Sequence, residues 1–221
     1  MQANRIRAYA WEFPVRFTHW INFLCIIAFC ITGFYIAGPY AHAISSQQYI
    51  MGWMRFIHFV AGYVFLLCMV IRIYWMFAGN RYASWRVFLP LTQRQREDFM
   101  GGLKFYLFLA KKPPYAVGHS AVAGVTYAVV FLLFIFEIVS GFALYSLSHL
   151  PGFWLALLGG WLLRIMDPQT VRLWHHLVMW VLLAFTAIHV YIGWHADSAE
   201  KNGLMGSIFG GYKFVSGKEW E

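Results

Sequence analysis

The sequence predicts an all-α integral membrane protein whose four transmembrane helices form an up-and-down bundle. The first observation is composition: 61% of the 221 residues are hydrophobic and only 12% are charged, whereas soluble domains average about 25% charged residues. The second is that four apolar segments each reach the roughly 20 residues needed to cross a hydrocarbon core of about 30 Å. Together these observations exclude a soluble globule, a disordered chain, a collagen and a disulfide-rich secreted module.

The four apolar segments lie within a single predicted domain over residues 1–221. They cover residues of about 18–38, 53–78, 120–145 and 171–195. Consecutive spans joined by loops pack in up-and-down order. A fifth apolar stretch, 153–166, is too short to span because Gly159 and Gly160 interrupt it, and it predicts an interfacial helix. A surface helix is predicted at about 93–110, in the loop between the second and third spans.

The basic residues predict the orientation of the chain. Its formal net charge is +8, and most of its 17 Lys and Arg residues lie before the first span, between the second and third, or after the fourth. They are Arg5, Arg7 and Arg16, then Arg81, Arg86, Arg94, Arg96, Lys104, Lys111 and Lys112, and finally Lys201, Lys213 and Lys218. The positive-inside rule places both termini in the cytoplasm. The charge therefore indicates orientation in a lipid bilayer, and nucleic acid is not an expected partner.

Of the histidines inside the spans, four are candidate functional residues, because ionisable groups within spans mark functional sites. His19 is close to the start of the first span, and His58 is about one and a half turns into the second. His175 is near the start of the fourth span and His189 is near its end. Their separation of 14 residues is about 40° short of four helical turns, so both project from nearly the same face, roughly 21 Å apart.

His175 and His189 each have a counterpart at matching depth on another span. His58 pairs with His175 on the outer side, and His19 pairs with His189 on the cytoplasmic side. Helical bundles hold cofactors between facing helices, and histidine is a standard axial ligand of haem iron. The two pairs therefore indicate a transmembrane cytochrome with two b-type haems. For any single histidine, a hydrogen bond between helices is the open alternative.

The sequence lacks the C-x-x-C-H motif of covalent haem attachment, so coordination and packing alone would hold the haems. Arg16, Arg55 and Arg172 each precede a candidate ligand by three residues, on the same helical face. They are candidates for contact with haem propionates through their guanidinium groups, or for interface arginines that reach lipid phosphates. Glu137 lies in the middle of the third span, where a charge is costly. We expect it to be hydrogen-bonded within the bundle, and a role in a proton path is the open alternative.

Several motifs resemble the cytochrome b subunit of membrane-bound nickel–iron hydrogenases. Two candidate ligands lie in RFTHW at 16–20 and RFIHF at 55–59, and further matches are RIYW at 72–75, GNRY at 79–82 and HVY at 189–191. The resemblance covers nearly the whole chain. One departure is His176, where the family pattern has arginine or lysine after the Trp-His pair.

The resemblance implies an electron-transfer subunit that is not an enzyme on its own, in the inner membrane of a prokaryote. Its partners would be the large and small hydrogenase subunits on the periplasmic side, the small subunit adding one transmembrane helix. Electrons would enter at the outer haem (His58 and His175), cross to the inner haem (His19 and His189) and reduce a quinone. By resemblance, His119 and Tyr191 are candidate quinone-site residues, with a propionate contact or an interface anchor as the alternative role.

Two other functions remain open at this point. One is a dihaem cytochrome b subunit of another respiratory enzyme, of the formate dehydrogenase or thiosulfate reductase type. The other is a haem-free transporter whose histidines bind a metal ion.

Overall fold

The computed structural model describes residues 5–45, 47–111, 118–149 and 152–216. The helices are α1 (Phe13–Ala37), α2 (Ile50–Ala78), α3 (Gln93–Tyr106), α4 (Ala121–Ser146), α5 (Phe153–Leu158), α6 (Pro168–Glu200) and α7 (Leu204–Gly210). Short 3-10 helices cover Trp85–Val87 and Gly160–Arg164, and two strands cover β1 (Arg5–Tyr9) and β2 (Tyr212–Ser216). Lys112 and Lys218, counted above in the charge pattern, lie outside the described residues.

The four predicted spans are confirmed as the long apolar helices α1, α2, α4 and α6. Each contains a window with a mean hydropathy between 1.9 and 2.4, and each is long enough to cross a membrane. Large apolar side chains on these helices, such as Leu24, Leu67 and Leu132, are exposed. Such exposure is what a helix requires when its surroundings are lipid rather than water.

Three of the spans, α1, α2 and α6, begin earlier than their apolar segments do. Helix α1 starts at Phe13 with Pro14 in its first turn, a position where proline costs no helical hydrogen bond. Helix α6 starts at Pro168, and Oδ1 of Asp167 accepts hydrogen bonds of 3.0 Å from the backbone N–H groups of Gln169 and Thr170. The opening turns of α1 and α6 contain proline and polar residues, so a search for apolar runs starts after them.

The predicted helical stretch over 153–166 is present as two short pieces, interrupted at one of the two glycines named above. The structure divides it into α5 and a 3-10 helix, and the break falls at Gly159. A Cβ atom added to Gly159 would lie 2.2 Å from the backbone oxygen of Val139. Because backbone approaches backbone this closely, only glycine fits there. The predicted surface helix is confirmed as α3, although it ends at Tyr106 rather than at 110.

The two strands are absent from the sequence-based prediction. β1 and β2 pair antiparallel, with Ala8 opposite Lys213 and Ile6 opposite Val215. Ala8, Lys213 and Val215 are buried. The fold is therefore helical except for one two-stranded sheet that joins the beginning and the end of the described chain.

The chain separates into two compact units. The first unit comprises Met1–Arg16, Tyr74–Glu137 and Leu173–Glu221, and the second comprises Phe17–Ile73 and Ile138–Arg172. A buried cluster in the first unit consists of Ala10, Trp11, Val15 and Ala83, with Trp75 and Tyr82 packed against it. A buried cluster in the second consists of Ala143, Leu162 and Val171.

Candidate functional site

His58 of α2, in the second unit, is held by a hydroxyl group of α1. Its Nδ1 lies 2.9 Å from Oγ1 of Thr32, and Oγ1 donates a 2.6 Å hydrogen bond to the carbonyl of Ala28. A hydroxyl has one hydrogen to donate. Because the hydrogen of Thr32 goes to Ala28, its oxygen accepts from an Nδ1–H of His58. In the neutral imidazole this leaves Nε2 without a hydrogen and able to bind a metal.

Packing fixes the same imidazole from the side of α1. The ring centroid of Phe29 lies 5.1 Å from that of His58. A Cβ atom added to Gly33 would lie 3.5 Å from Cε1 of His58. One turn further along α2, a Cβ atom at Gly62 would meet nothing within 4 Å. Small residues thus border His58 on both helices.

His175 of α6, in the first unit, is held by a carboxyl group. Its Nδ1 lies 2.9 Å from Oε2 of Glu137 on α4, and the two side chains are only 18% and 16% exposed. When Nδ1 donates its hydrogen to Oε2, Nε2 is again the nitrogen left for a metal. The expectation that Glu137 is hydrogen-bonded within the protein is confirmed.

His189 lies 14 residues after His175 on α6, and it also belongs to the first unit. Its Nδ1 is 3.3 Å from the phenol oxygen of Tyr127 on α4. The ring of Phe185 stacks on it, with centroids 5.5 Å apart and planes at 23°. A third candidate ligand therefore has its Nδ1 next to an oxygen from a neighbouring helix.

His119, a candidate quinone-site residue, lies among aromatic rings in the same unit. The rings of Trp11 and Tyr127 have their centroids 4.6 and 4.7 Å from that of His119. Tyr127 contacts both His119 and His189. Tyr191 lies elsewhere: it is 61% exposed, and its ring is 6.1 Å from that of His195. His119 thus shares a ring contact with His189 through Tyr127, whereas the ring of Tyr191 contacts Trp194 and His195.

The segment before α1 holds Trp11 beside His119. The indole Nε1 of Trp11 donates a 2.9 Å hydrogen bond to the buried hydroxyl of Ser207 on α7. The adjacent Glu12 accepts through Oε2 from Trp75 Nε1 at 2.8 Å and from Asn80 N at 2.7 Å. These bonds tie the start of the chain to the end of α2 and to the C-terminal segment.

His19, the fourth candidate ligand, belongs to the second unit, as His58 does. It is partly buried, and its ring meets the edge of Trp20 with centroids 5.4 Å apart. His175 and His189 belong to the first unit. Each predicted pair therefore takes one histidine from each unit, and the pairing itself stays a prediction.

The three candidate propionate arginines have different surroundings. Nη1 of Arg16 donates to the backbone oxygen of Phe209 on α7. Nη1 of Arg172 donates a 2.5 Å hydrogen bond to Oε1 of Gln169. The side chain of Arg55 is exposed. Their contact with propionates remains a prediction.

The chemistry of the donor set fits haem iron. Side-chain oxygens engage Nδ1 of both His58 and His175, so Nε2 is the ring nitrogen that could ligate a metal. Within the described residues, no group of three or more His, Cys, Asp or Glu side chains is arranged to hold a metal ion. Separate histidines suffice for haem, because the porphyrin supplies the equatorial nitrogens and the protein only the axial ones.

Sequence reasoning missed Thr32 and Tyr127 as partners of the candidate ligands. Both are polar residues inside apolar spans, as Glu137 is. That feature could have identified them, since polar side chains in such surroundings need hydrogen-bond partners.

Four apolar helices with half-buried, oriented histidines define a membrane-bound cytochrome of the b type. The chain belongs to the prokaryotic cytochrome b561 family, whose family model matches residues 10–211.

Individual relatives agree with this membership. The chain is 35% identical over 212 residues to the Probable Ni/Fe-hydrogenase B-type cytochrome subunit of Cupriavidus necator, covering 93% of this chain and 86% of the relative. It is 32% identical over 221 residues to the protein of that name from Rhizobium leguminosarum bv. viciae, with coverages of 98% and 92%. The Probable Ni/Fe-hydrogenase 1 B-type cytochrome subunit of Escherichia coli is 32% identical over 219 residues, with coverages of 95% and 92%. The predicted resemblance to cytochrome b subunits of nickel–iron hydrogenases is thereby confirmed, as is the expectation of an electron-transfer rather than a catalytic subunit.

Proposed function

We propose that this chain is the membrane subunit of a nickel–iron hydrogenase complex. It would carry electrons from the iron–sulfur clusters of the small subunit to the quinone pool. The names of the relatives support the association with hydrogenase. The observation that carries the electron-transfer role is the engagement of Nδ1 of His58 and His175 by side-chain oxygens, at 2.9 Å in both cases.

The proposal includes two b-type haems, one held by His58 and His175 and the other by His19 and His189. Haem iron between two imidazoles supplies a one-electron redox centre. Thr32 and Glu137 keep the hydrogen on Nδ1 of their histidines and so direct Nε2 to the iron. Two haems stacked across the membrane would connect its two faces.

His119 is the residue we propose for quinone binding. An imidazole can hydrogen-bond a quinone carbonyl, while neighbouring aromatic rings pack against the flat quinone head. His119 has both features, since Trp11 and Tyr127 flank it. Its contact with Tyr127, which also contacts His189, supports a site beside the His189 haem. Tyr191 has the weaker support because it is largely exposed.

The proposed location is the inner membrane of a prokaryote, with both termini in the cytoplasm. The distribution of basic residues supports this orientation by the positive-inside rule. The hydrogenase large and small subunits would then bind on the periplasmic side, with a transmembrane helix of the small subunit beside this chain.

A purified complex tests the proposal in two steps. The reduced-minus-oxidised absorption spectrum and the haem-to-polypeptide ratio measure haem content, and we expect two haems b per chain. Hydrogen is then supplied with a soluble quinone analogue, and reduction of both haems and quinone is expected. A spectrum without haem bands would favour a transporter. Haems that respond to formate or to a sulfur substrate, but not to hydrogen, would assign the chain to another respiratory enzyme.

A further inference from the structure

The oxygens next to Nδ1 of the candidate ligands differ in chemistry. His58 has the hydroxyl of Thr32, His189 has the phenol of Tyr127, and His175 has the carboxyl group of Glu137. Of these three partners, only Glu137 is a carboxylic acid, the one group of the three that ordinarily ionises at neutral pH. The two histidines on α6 therefore have neighbours of unequal electrostatic strength.

The position of Glu137 strengthens its effect on His175. Glu137 lies near the middle of α4, a helix long and apolar enough to span the membrane. Its side chain is 16% exposed and directly contacts the imidazole. Electrostatic interactions are stronger where water is scarce, because the effective dielectric constant is low. A carboxylate in this place acts on His175 far more than the same group would at the surface.

A carboxylate that accepts from Nδ1–H makes the imidazole a stronger electron donor through Nε2. Stronger donation, together with the nearby negative charge, stabilises ferric iron more than ferrous iron. The result is a lower reduction potential for the haem bound to that histidine. A neutral phenol next to His189 gives no comparable stabilisation.

We propose that Glu137 is a positioning residue that lowers the reduction potential of the haem held by His175. This inference rests on the proposed haem ligation. It also assigns a direction, because electrons move spontaneously from the lower to the higher potential. The charge of Glu137 thus favours transfer from the His175 side of α6 toward the His189 side, the direction that hydrogen oxidation requires.

The deciding variant is Glu137→Gln in the intact complex. Glutamine has nearly the same shape and keeps an oxygen that accepts from Nδ1–H, but it has no charge. Potentiometric titration of the haem absorption bands should show that one haem midpoint rises while the other stays at its wild-type value. Low-spin ferric signals in electron paramagnetic resonance should shift for that haem alone. The affected haem should be the one that is lost in His175→Ala.

Two further variants keep the test decisive. Glu137→Asp retains the charge, so its midpoint should lie between those of Glu137→Gln and the wild type, even if binding of the haem is weakened. Glu97→Gln makes the same chemical change on α3, where Glu97 is exposed and contacts Gln93, and should leave both midpoints unchanged.

The outcomes separate this inference from the proposed function. If Glu137→Gln leaves both midpoints unchanged, or raises both equally, Glu137 does not tune the His175 haem. If His175→Ala retains both haems, the ligand assignment fails and the inference fails with it. If His175→Ala removes one haem but Glu137→Gln has no selective effect, the proposed function stands and only the inference is overturned.

Discussion

The hydroxyl of Thr32 lies 2.9 Å from Nδ1 of His58 and donates its only hydrogen to the carbonyl of Ala28. This arrangement makes Thr32 an acceptor toward His58 and selects one tautomer of the imidazole. The selection comes from the helical backbone of α1, since Ala28 is one turn before Thr32. The neighbouring helix α1 thus orients the candidate ligand of α2.

Replacing Thr32 by valine should weaken haem binding at His58. Valine has nearly the same shape but no acceptor, so Nδ1–H would lose its partner and either ring nitrogen could carry the hydrogen. Loss of such a partner typically reduces affinity about 10–100-fold. Haem-to-polypeptide ratios measured at decreasing total haem would detect this change. Thr32→Ser retains the acceptor and should bind haem like the wild type; equal retention by the valine variant would contradict the role of Thr32.

Alanine substitutions of His175 and His19 should remove different haems. His175→Ala should abolish the haem proposed for the His58 pair, and His19→Ala should abolish the one proposed for the His189 pair, because each haem needs both axial nitrogens. Redox titration of each variant would then show one remaining midpoint, different in the two cases. Loss of the same haem from both variants would show that the pairing by depth is wrong.

The four spans could be predicted from the sequence because the thickness of the bilayer constrains their length. The histidines could be identified as candidate ligands because ionisable groups are rare in apolar segments. The pairing of β1 with β2 could not be predicted, since each strand has five residues and its partner lies at the other end of the chain. The contacts of Thr32 with His58 and of Glu137 with His175 depend on the rotation and packing of neighbouring helices. Residue spacing within one helix carries no information about that rotation.

The buried Lys213 of β2 predicts a pH dependence of stability. Its side chain is 3% exposed, and burial lowers the pKa of Lys213 from the usual 10.5, although the carboxylates of Glu200 and Asp197 partly oppose this shift. The folded state therefore binds this proton less tightly than the unfolded state does. Stability should rise as the pH increases from the folded pKa toward 10.5.

Lys213→Met should remove that dependence and stabilise the protein by about 1 kcal/mol at neutral pH, because an incompletely compensated buried charge is replaced by an apolar side chain. Thermal unfolding of the purified protein in detergent, followed over a series of alkaline pH values, measures both effects. Lys104→Met on α3 removes an exposed charge and serves as the matched control. A variant at Lys213 with the same pH slope as the wild type would show that burial of this amine is not the cause.

Replacing His119 by phenylalanine should separate quinone reduction from haem binding. Phenylalanine keeps a ring that can pack against Trp11 and Tyr127, whose centroids are 4.6 and 4.7 Å from that of His119, but it removes both nitrogens. The polar contact to a quinone carbonyl would be lost, and we expect hydrogen-dependent quinone reduction to fall by about 10²-fold, the lower range for loss of a general acid or base. Haem content and the reduction of haem by hydrogen should stay as in the wild type.

His149→Phe makes the same change at an exposed histidine and should leave the quinone rate unaltered. A normal rate in the His119 variant would place the quinone elsewhere, while a fall in haem content would show that His119 supports the haem instead.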